Sequence, residues 1–269
     1  MKKVKLLAAL ALVLTVALAL GGCLYVNLGD GKVVTGSGSI ETKEVPLEQA
    51  LTGIRGMGSV DVIFDPSLDG KAVIEGDNNL IGYVELSQNS EGVLSVDFED
   101  GLNIVFVRQM RVYVPMLSGG VIETMGSGDI SMAGGTLTGE SFDVLTGGSG
   151  DISLALEADS VSLSVDGSGD MAIAMKAQAL NIESRGSGDI DLSGTAQQMR
   201  ASVTGSGELA ATRLDAQDAQ VNVSGSGDAY VTVTGSLTGS VNGSGDLEYS
   251  GDPASVDVSD NGSGRVHRR

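Results

Sequence analysis

From Ile122 onward apolar residues take alternate positions, and the alternation runs through a Gly-Ser-Gly triplet that begins at Gly126, Gly148, Gly167, Gly186, Gly205, Gly225, Gly243 and Gly262. Four residues after each first glycine stand Ile130, Ile152, Met171, Ile190, Leu209, Ala229, Leu247 and Val266, and four before it stand Ile122, Val144, Leu163, Ile182, Ala201, Val221, Gly239 and Val258. A period of two marks a strand with one buried face. Each triplet is therefore flanked by two strands with a common inward parity. That parity also sends both glycines inward and the serine and the following acidic residue outward.

The steps between triplets are 22, 19, 19, 19, 20, 18 and 19 residues. A unit that short, repeated eight times, is the signature of a solenoid. Length variation falls between the strands of successive copies, where Ala133 to Ser141 is long and Thr232 to Ser236 is short, which predicts a surface turn. Each coil then reads strand, glycine corner, strand, variable turn. Coils that pair in parallel and in register build an all-β, right-handed parallel β-helix of about 19 residues per coil. With strands ~4.8 Å apart, eight coils span roughly 40 Å.

The first half is less regular. Two degenerate corners, Gly36-Ser37-Gly38-Ser39-Ile40 and Gly56-Met57-Gly58-Ser59, place the start of the solenoid near residue 36. Strands are expected at Lys71 to Glu75, Tyr83 to Leu86, Val93 to Phe98, Asn103 to Val107 and Arg111 to Pro115. Asp77-Asn78-Asn79-Leu80 reads as a helical turn with an N-cap. An irregular end of this kind blocks growth from an open sheet edge.

Ahead of the fold, Lys2, Lys3 and Lys5 precede an apolar run from Leu6 to Leu20, and Leu20-Gly21-Gly22 leads into the only cysteine, Cys23. This is the pattern of a secretory leader ending in a lipobox. The run is shorter than the ~20 residues of a membrane span. The expected organisation is a leader over 1–22, lipidation at Cys23, a tether over 23–35, one β-helical domain over 36–264 and a basic tail over 265–269. A lipid-bearing Cys23 makes the membrane a partner and places the protein in the cell envelope, at the outer membrane of a cell that has one.

The succession Thr52-Gly53-Ile54-Arg55-Gly56-Met57-Gly58-Ser59-Val60-Asp61-Val62, Gly76-Asp77-Asn78-Asn79-Leu80, Gly92-Val93-Leu94-Ser95-Val96, Arg111-Val112-Tyr113-Val114-Pro115 and Gly126-Ser127-Gly128-Asp129-Ile130 resembles the head GIN domain family of putative auto-transporter adhesins. The resemblance covers roughly residues 45 to 250 and implies a β-helical, exported, envelope-associated bacterial protein. Met57 and Ser59 stand where a small residue and an Asp are expected. No translocator barrel is expected after Gly262, so the lipobox takes the place of the auto-transporter anchor.

Charge narrows the chemistry. The chain has 35 acidic and 16 basic residues, a net −19, and loss of the leader with its three lysines brings the mature protein to about −22. Such a balance excludes nucleic acid as a partner. In-register stacking gathers Asp129, Asp151, Asp170, Asp189, Glu208, Asp228 and Asp246 into one outward column. Neighbouring carboxylates ~5 Å apart repel by about 1 kcal/mol in water and about 3 at an effective dielectric of 20. Either each carboxylate accepts N–H groups of its own corner in an Asx-turn, or calcium neutralises the column at Asp129, Asp151, Asp170, Asp189, Asp228 and Asp246. With one corner per coil, calcium would find only two carboxylates and some carbonyls of the six to eight oxygens it takes. No other cofactor is expected.

Arg265 holds the acidic position in the last copy, where a cation relieves the repulsion of the column. For catalysis there is little material. The single histidine, His267, stands three residues from the end of the sequence, and Asp189 with Asp191 is the most suggestive carboxylate pair. There is no Trp to form the platform of a carbohydrate cleft, and Phe and Tyr total nine. The residues favour a non-catalytic envelope lipoprotein whose rod serves adhesion or assembly. A glycan- or peptide-binding module along the variable turns is the alternative, followed by a carbohydrate-active enzyme.

Overall fold

The computed structural model describes residues 32–269; the leader and Cys23 lie outside the described residues. From Gly120 to Arg268 the chain winds as a parallel β-solenoid whose coils stack in register. Ile152, Met171 and Ile190 pair in one column, and Leu163, Ile182 and Ala201 in another. These inward columns are buried from Ile130 to Leu247. The expected parity is therefore the observed one, because a strand facing solvent on one side has no other way to bury its aliphatic half.

The variable segment is not a loop in the central coils. Ile152–Val165, Met171–Ser184, Ile190–Val203 and Leu209–Val223 are continuous strands that fold over at Ala158, Ala177, Ala196 and Ala216. Asp159, Gln178, Gln197 and Gln217 drop out of the pairing there, a bulge-like bend that resets the inward parity by one residue. A methyl group is small enough to line the inside of that bend. The 20-residue step is absorbed by a register shift opposite Asp191 and Ser193, which leaves Leu214 fully buried.

The glycine corners owe their composition to stacking. None of the glycines in the eight triplets from Gly126 to Gly264 has a positive φ. A Cβ on Gly188 would lie 2.8 Å from the Gly169 carbonyl carbon and closer still to its oxygen, and the same collision recurs from coil to coil. The missing side chain therefore makes room for the backbone of the preceding coil. That backbone is used: the Gly148 carbonyl accepts the N–H of Ser168 at 2.9 Å and of Gly169 at 3.3 Å.

In the N-terminal half, spatial order departs from chain order. Asp61–Phe64 pairs on one side with Ile130–Met132 and on the other with Arg111–Val114, while Gly53–Gly56 lies between Gly120–Thr124 and Val93–Phe98. The rung of residues 93–114 is thus the outermost, and the chain passes back over residues 53–64 to reach Gly120. Its open edges are covered by antiparallel strands: Lys71–Asp77 on Arg111–Val114, Ile40–Pro46 on Lys71–Asp77, and Val84–Gln88 on Val93–Phe98. The outer strand Ile40–Pro46 is almost wholly exposed and carries Glu41, Lys43 and Glu44, a charged edge that resists further pairing.

Three expectations change here. The Gly36-Ser37-Gly38 corner does not begin the solenoid but folds onto Asp77, and the last part of the tether, Lys32–Thr35, is a strand parallel to Leu102–Val105. Asp77 caps no helix; the short 3-10 turn Ile81–Tyr83 has Leu80 at its N-cap and no side-chain cap bond. Asp77 is instead fully buried and accepts N–H groups from Gly38 at 2.6 Å and from Val107 and Arg108 at 2.9 Å. Burial alone would raise its pKa, but those three donors and the Arg108 charge outweigh it and hold the carboxyl below its ordinary value.

The far end has no such cover among the described residues. Ser255–Asp260 and Val266–Arg268 form the last rung, and Val256 is 43% exposed. The basic segment 265–269 is therefore mostly strand, with Val266, His267 and Arg268 paired to Leu247, Glu248 and Tyr249.

One inward position is imperfect. Ser184 Oγ is buried without a hydrogen-bond partner, whereas Thr146 Oγ1 in the same column donates to the Gly150 carbonyl at 3.2 Å. Valine stands at this position in the coils on either side, Val165 and Val203. Ser184→Val is expected to raise stability by about 1 kcal/mol, read as a higher denaturant midpoint at unchanged slope.

Candidate functional site

The acidic column exists and is longer than the sequence reading gave it. Gly58, not Gly56, is the first glycine of the degenerate corner, since its carbonyl accepts the Ser127 N–H at 2.9 Å. Val60 then replaces the second glycine and Asp61 is the acidic member. Written as Gly58-Ser59-Val60-Asp61-Val62 against Gly126-Ser127-Gly128-Asp129-Ile130, the signal is plain in the sequence. Arg111 pairs with Asp61 in the outermost rung, so the carboxylates run from Asp61 to Asp246 between Arg111 and Arg265.

The carboxylates do not close Asx-turns on their own corners. Each reaches across to the next coil: Asp129 Oδ1 accepts the Asp151 N–H at 2.9 Å, Asp151 that of Asp170 at 2.8 Å, Asp170 that of Asp189 at 2.8 Å, and Asp189 that of Glu208 at 2.7 Å. Asp228 does the same for Asp246 at 2.7 Å, and Asp246 for Arg265 at 2.8 Å. This ladder offsets the like-charge repulsion by giving every bonded carboxylate a charge-assisted hydrogen bond. An arginine side chain cannot accept an N–H, so Arg265 ends the ladder chemically as well as electrostatically.

Glu208 is the interruption. Its longer side chain makes no bond to the Asp228 N–H, and it sits among Asp189, Asp228 and Asp191 with nothing to reward its charge. Burial, then the charges of Asp189, Asp228 and Asp191, push its carboxyl above the ordinary value. Asp61 is raised as well, by burial, against the lowering effect of the Asp129 N–H and the Gln109 amide. An acid whose folded pKa is raised is most favourable below its unfolded value and loses that advantage as pH climbs through the folded one. Glu208→Gln should therefore stabilise the rod at neutral pH, with the gain vanishing below about pH 4, near the unfolded value. Thermal melts of both proteins across pH 3 to 8 test this.

The remaining candidates are already engaged. Asp189 serves the ladder, while both oxygens of Asp191 are taken by Arg213 Nη2, at 2.8 and 2.7 Å, so the pair is not a pair of available acids. His267 bonds Glu248 at 3.0 Å on the last rung. Among the described residues no three or more His, Cys, Asp or Glu converge as metal ligands. The six aspartates considered for calcium stand one to a coil, each with one oxygen committed to an N–H group.

Over the alanine bend lies an open groove of about 620 Å3, where a ligand along the variable turns would sit. Its side chains pair with one another: Lys176 bridges Glu157 at 2.9 Å, and the Gln178 amide bonds Asp159. The stretches between the alanine bend and the next glycine corner (198–203, 218–223 and 236–241) form a second sheet of the solenoid, on which Ser202, Asn222 and Ser240 fall into one outward column. Unlike the acidic position, this column changes residue type from coil to coil, so the register rather than the repeat reveals it.

Comparison with known proteins places these features. The family described as "putative auto-transporter adhesin, head GIN domain" matches residues 50–253. Three solved structures share the fold at 22% identity while covering 88% of this chain. They are a putative adhesin from Parabacteroides merdae ATCC 43184, with a TM-score of 0.73 and 99% of its own chain covered, and a putative adhesin from Parabacteroides distasonis ATCC 8503, with 0.73 and 100%. The third is a putative lipid binding protein from Parabacteroides distasonis ATCC 8503, with a TM-score of 0.71 and 100% of its chain covered. No curated protein matches the sequence.

Proposed function

The chain belongs to the head GIN domain family of putative auto-transporter adhesins, and we propose that it is an exported, lipid-anchored, non-catalytic rod of the bacterial cell envelope that serves adhesion or assembly. One observation carries this reading: from coil to coil the same outward carboxylate, bonded to the next coil, recurs at one strand spacing along the stack. A surface of that kind acts by repetition, each coil adding a weak contact to the same partner. The described carboxylates with raised pKa values, Asp61 and Glu208, belong to the ladder rather than to a cleft where an acid and a base could face a substrate.

The anchor rests on the sequence. Cys23 follows Leu20-Gly21-Gly22, and eight residues separate it from the first described strand at Lys32, a reach of at most ~30 Å. The rod thus stands with its antiparallel cap toward the membrane and the rung of residues 255–268 outward. Cys23→Ser is expected to move the protein from the membrane fraction to the soluble exported fraction without changing its melting temperature. Retention of the variant in the membrane would remove the lipid anchor from this account. Adhesion is tested by comparing cells with and without the protein for attachment to host or neighbouring cells, with equal attachment as the contrary result.

A further inference from the structure

Between the alanine bend and the next glycine corner, the outward face of the second sheet is a lattice of hydroxyl and amide groups. Register pairs Arg200 with Gln220 and Ser202 with Asn222, then Gln220 with Thr238 and Asn222 with Ser240. Neighbours are ~4.8 Å apart across the coils and ~6.7 Å apart along each strand. In a chain of net −19, Ser202, Gln220, Asn222, Thr238 and Ser240 form an uncharged block on this face, with Glu183, Arg200, Asp218 and Asp257 as the charged groups around it. They are also held in place: Ser240 Oγ donates to Asn222 Oδ1 at 3.1 Å, Asn242 Nδ2 to Ser240 Oγ at 2.9 Å, and Asn261 Nδ2 to Asn242 Oδ1 at 3.4 Å.

Two shallow depressions, of about 240 and about 250 Å3, lie side by side on this face and share Arg200 and Gln220 in their lining, with Glu183 beside the first and Asp218 beside the second. Arg200 makes no ion pair among the described residues, although acidic residues outnumber basic ones by about two to one. Its guanidinium offers five donors, and the neighbouring Gln220 amide offers both donor and acceptor.

We propose that this face binds an uncharged polysaccharide lying flat across the coils, which names the partner class of the adhesive rod inferred above and rests on that reading. A sugar hydroxyl needs a donor and an acceptor at once, and an amide and hydroxyl lattice supplies both without stripping water from a charged ligand group. A peptide strand would gain most from a sheet edge, where its backbone could pair, and this face is the middle of a sheet. A polyanion would be repelled by the surplus of carboxylates. With no Trp in the chain, recognition proceeds by hydrogen bonds instead of ring stacking, and affinity comes from successive coils engaging successive sugars.

The test uses the full mature chain carrying Cys23→Ser, passed over an immobilised β-glucan, a mannan and a galactan. At least one should retain the protein, and retention should not change between about 0.05 and about 0.5 M NaCl, since no ion pair is involved. Gln220→Ala with Asn222→Ala should weaken retention about tenfold. Ser153→Ala with Ser193→Ala, outward on the other sheet, should leave it unchanged. Retention by none of the three, its loss at high salt, or equal loss in both double variants would overturn the proposal. Cells whose attachment survives Gln220→Ala with Asn222→Ala would keep the adhesive reading and lose this one.

Discussion

Gly188→Val should cost about 4 kcal/mol or more, while Asp189→Asn, one residue on, should stay within about 0.5 kcal/mol of the parent protein. The contrast follows from what each residue meets. A side chain at Gly188 runs into the Gly169 backbone of the neighbouring coil, whose corner is bonded to the preceding coil through Ser168 and Gly169 and to the following one through Gly167, and cannot yield without breaking register. Asparagine at 189 keeps an oxygen to accept the Glu208 N–H, and the lost charge relieves repulsion from Asp170 and Glu208. Chemical denaturation of the two variants decides it. If Asp189→Asn proves the more damaging, the column has a role beyond bonding coil to coil.

Asp77→Ala is the second large effect, expected at about 3–5 kcal/mol, because it removes a buried carboxylate that is the shared acceptor of three backbone N–H groups. The damage should begin in the cap. Gly38, Val107 and Arg108 lose their common acceptor, so Lys32–Thr35 and Leu102–Val105 are freed from the strand that ends at Asp77. Hydrogen exchange should accelerate at those amides before it does in the glycine-cornered coils. Asp77 has a lowered folded pKa, so its contribution is present above the unfolded value of about 3.9 and fades as pH falls through the folded one. The gap between the two proteins should accordingly stay constant from pH 7 to about 5 and narrow only in stronger acid. Equal exchange at the three amides in both proteins would contradict the assigned role.

What the sequence revealed and what it hid divide along one line. Repetition made the solenoid legible: eight triplets fixed the corners, and Ile152, Met171 and Ile190 share a parity that no helix could satisfy. Where repetition fails, so does the reading. Residues 53–64 and 93–114 are adjacent rungs although a cap of three antiparallel strands involves the chain around and between them, and no local pattern encodes which rung lies outermost. Asp-Asn-Asn is local turn chemistry and predicts a helix cap at Asp77, yet its partners Gly38 and Val107 are 39 and 30 residues away. Varying length in the central turns predicts loops, but a single inserted residue is taken up by a bulge in a continuous strand, as between Ala210 and Arg213. The acidic column was legible as a column and misjudged as chemistry, since an Asx-turn and an inter-coil bond use the same residue and differ only in whose N–H it meets.

The stacked register itself is open to direct measurement. After Cys23→Ser the chain has no thiol, so cysteine pairs placed at exposed corner serines can carry spin labels without interference. Pulsed dipolar spectroscopy on Ser149 paired in turn with Ser226, Ser244 and Ser263 should give separations of about 19, 24 and 29 Å, rising by one strand spacing per coil. Separations that fail to climb in equal steps of ~5 Å would mean that the corners do not stack in one column, and the ladder and lattice built on that stacking would fall with it.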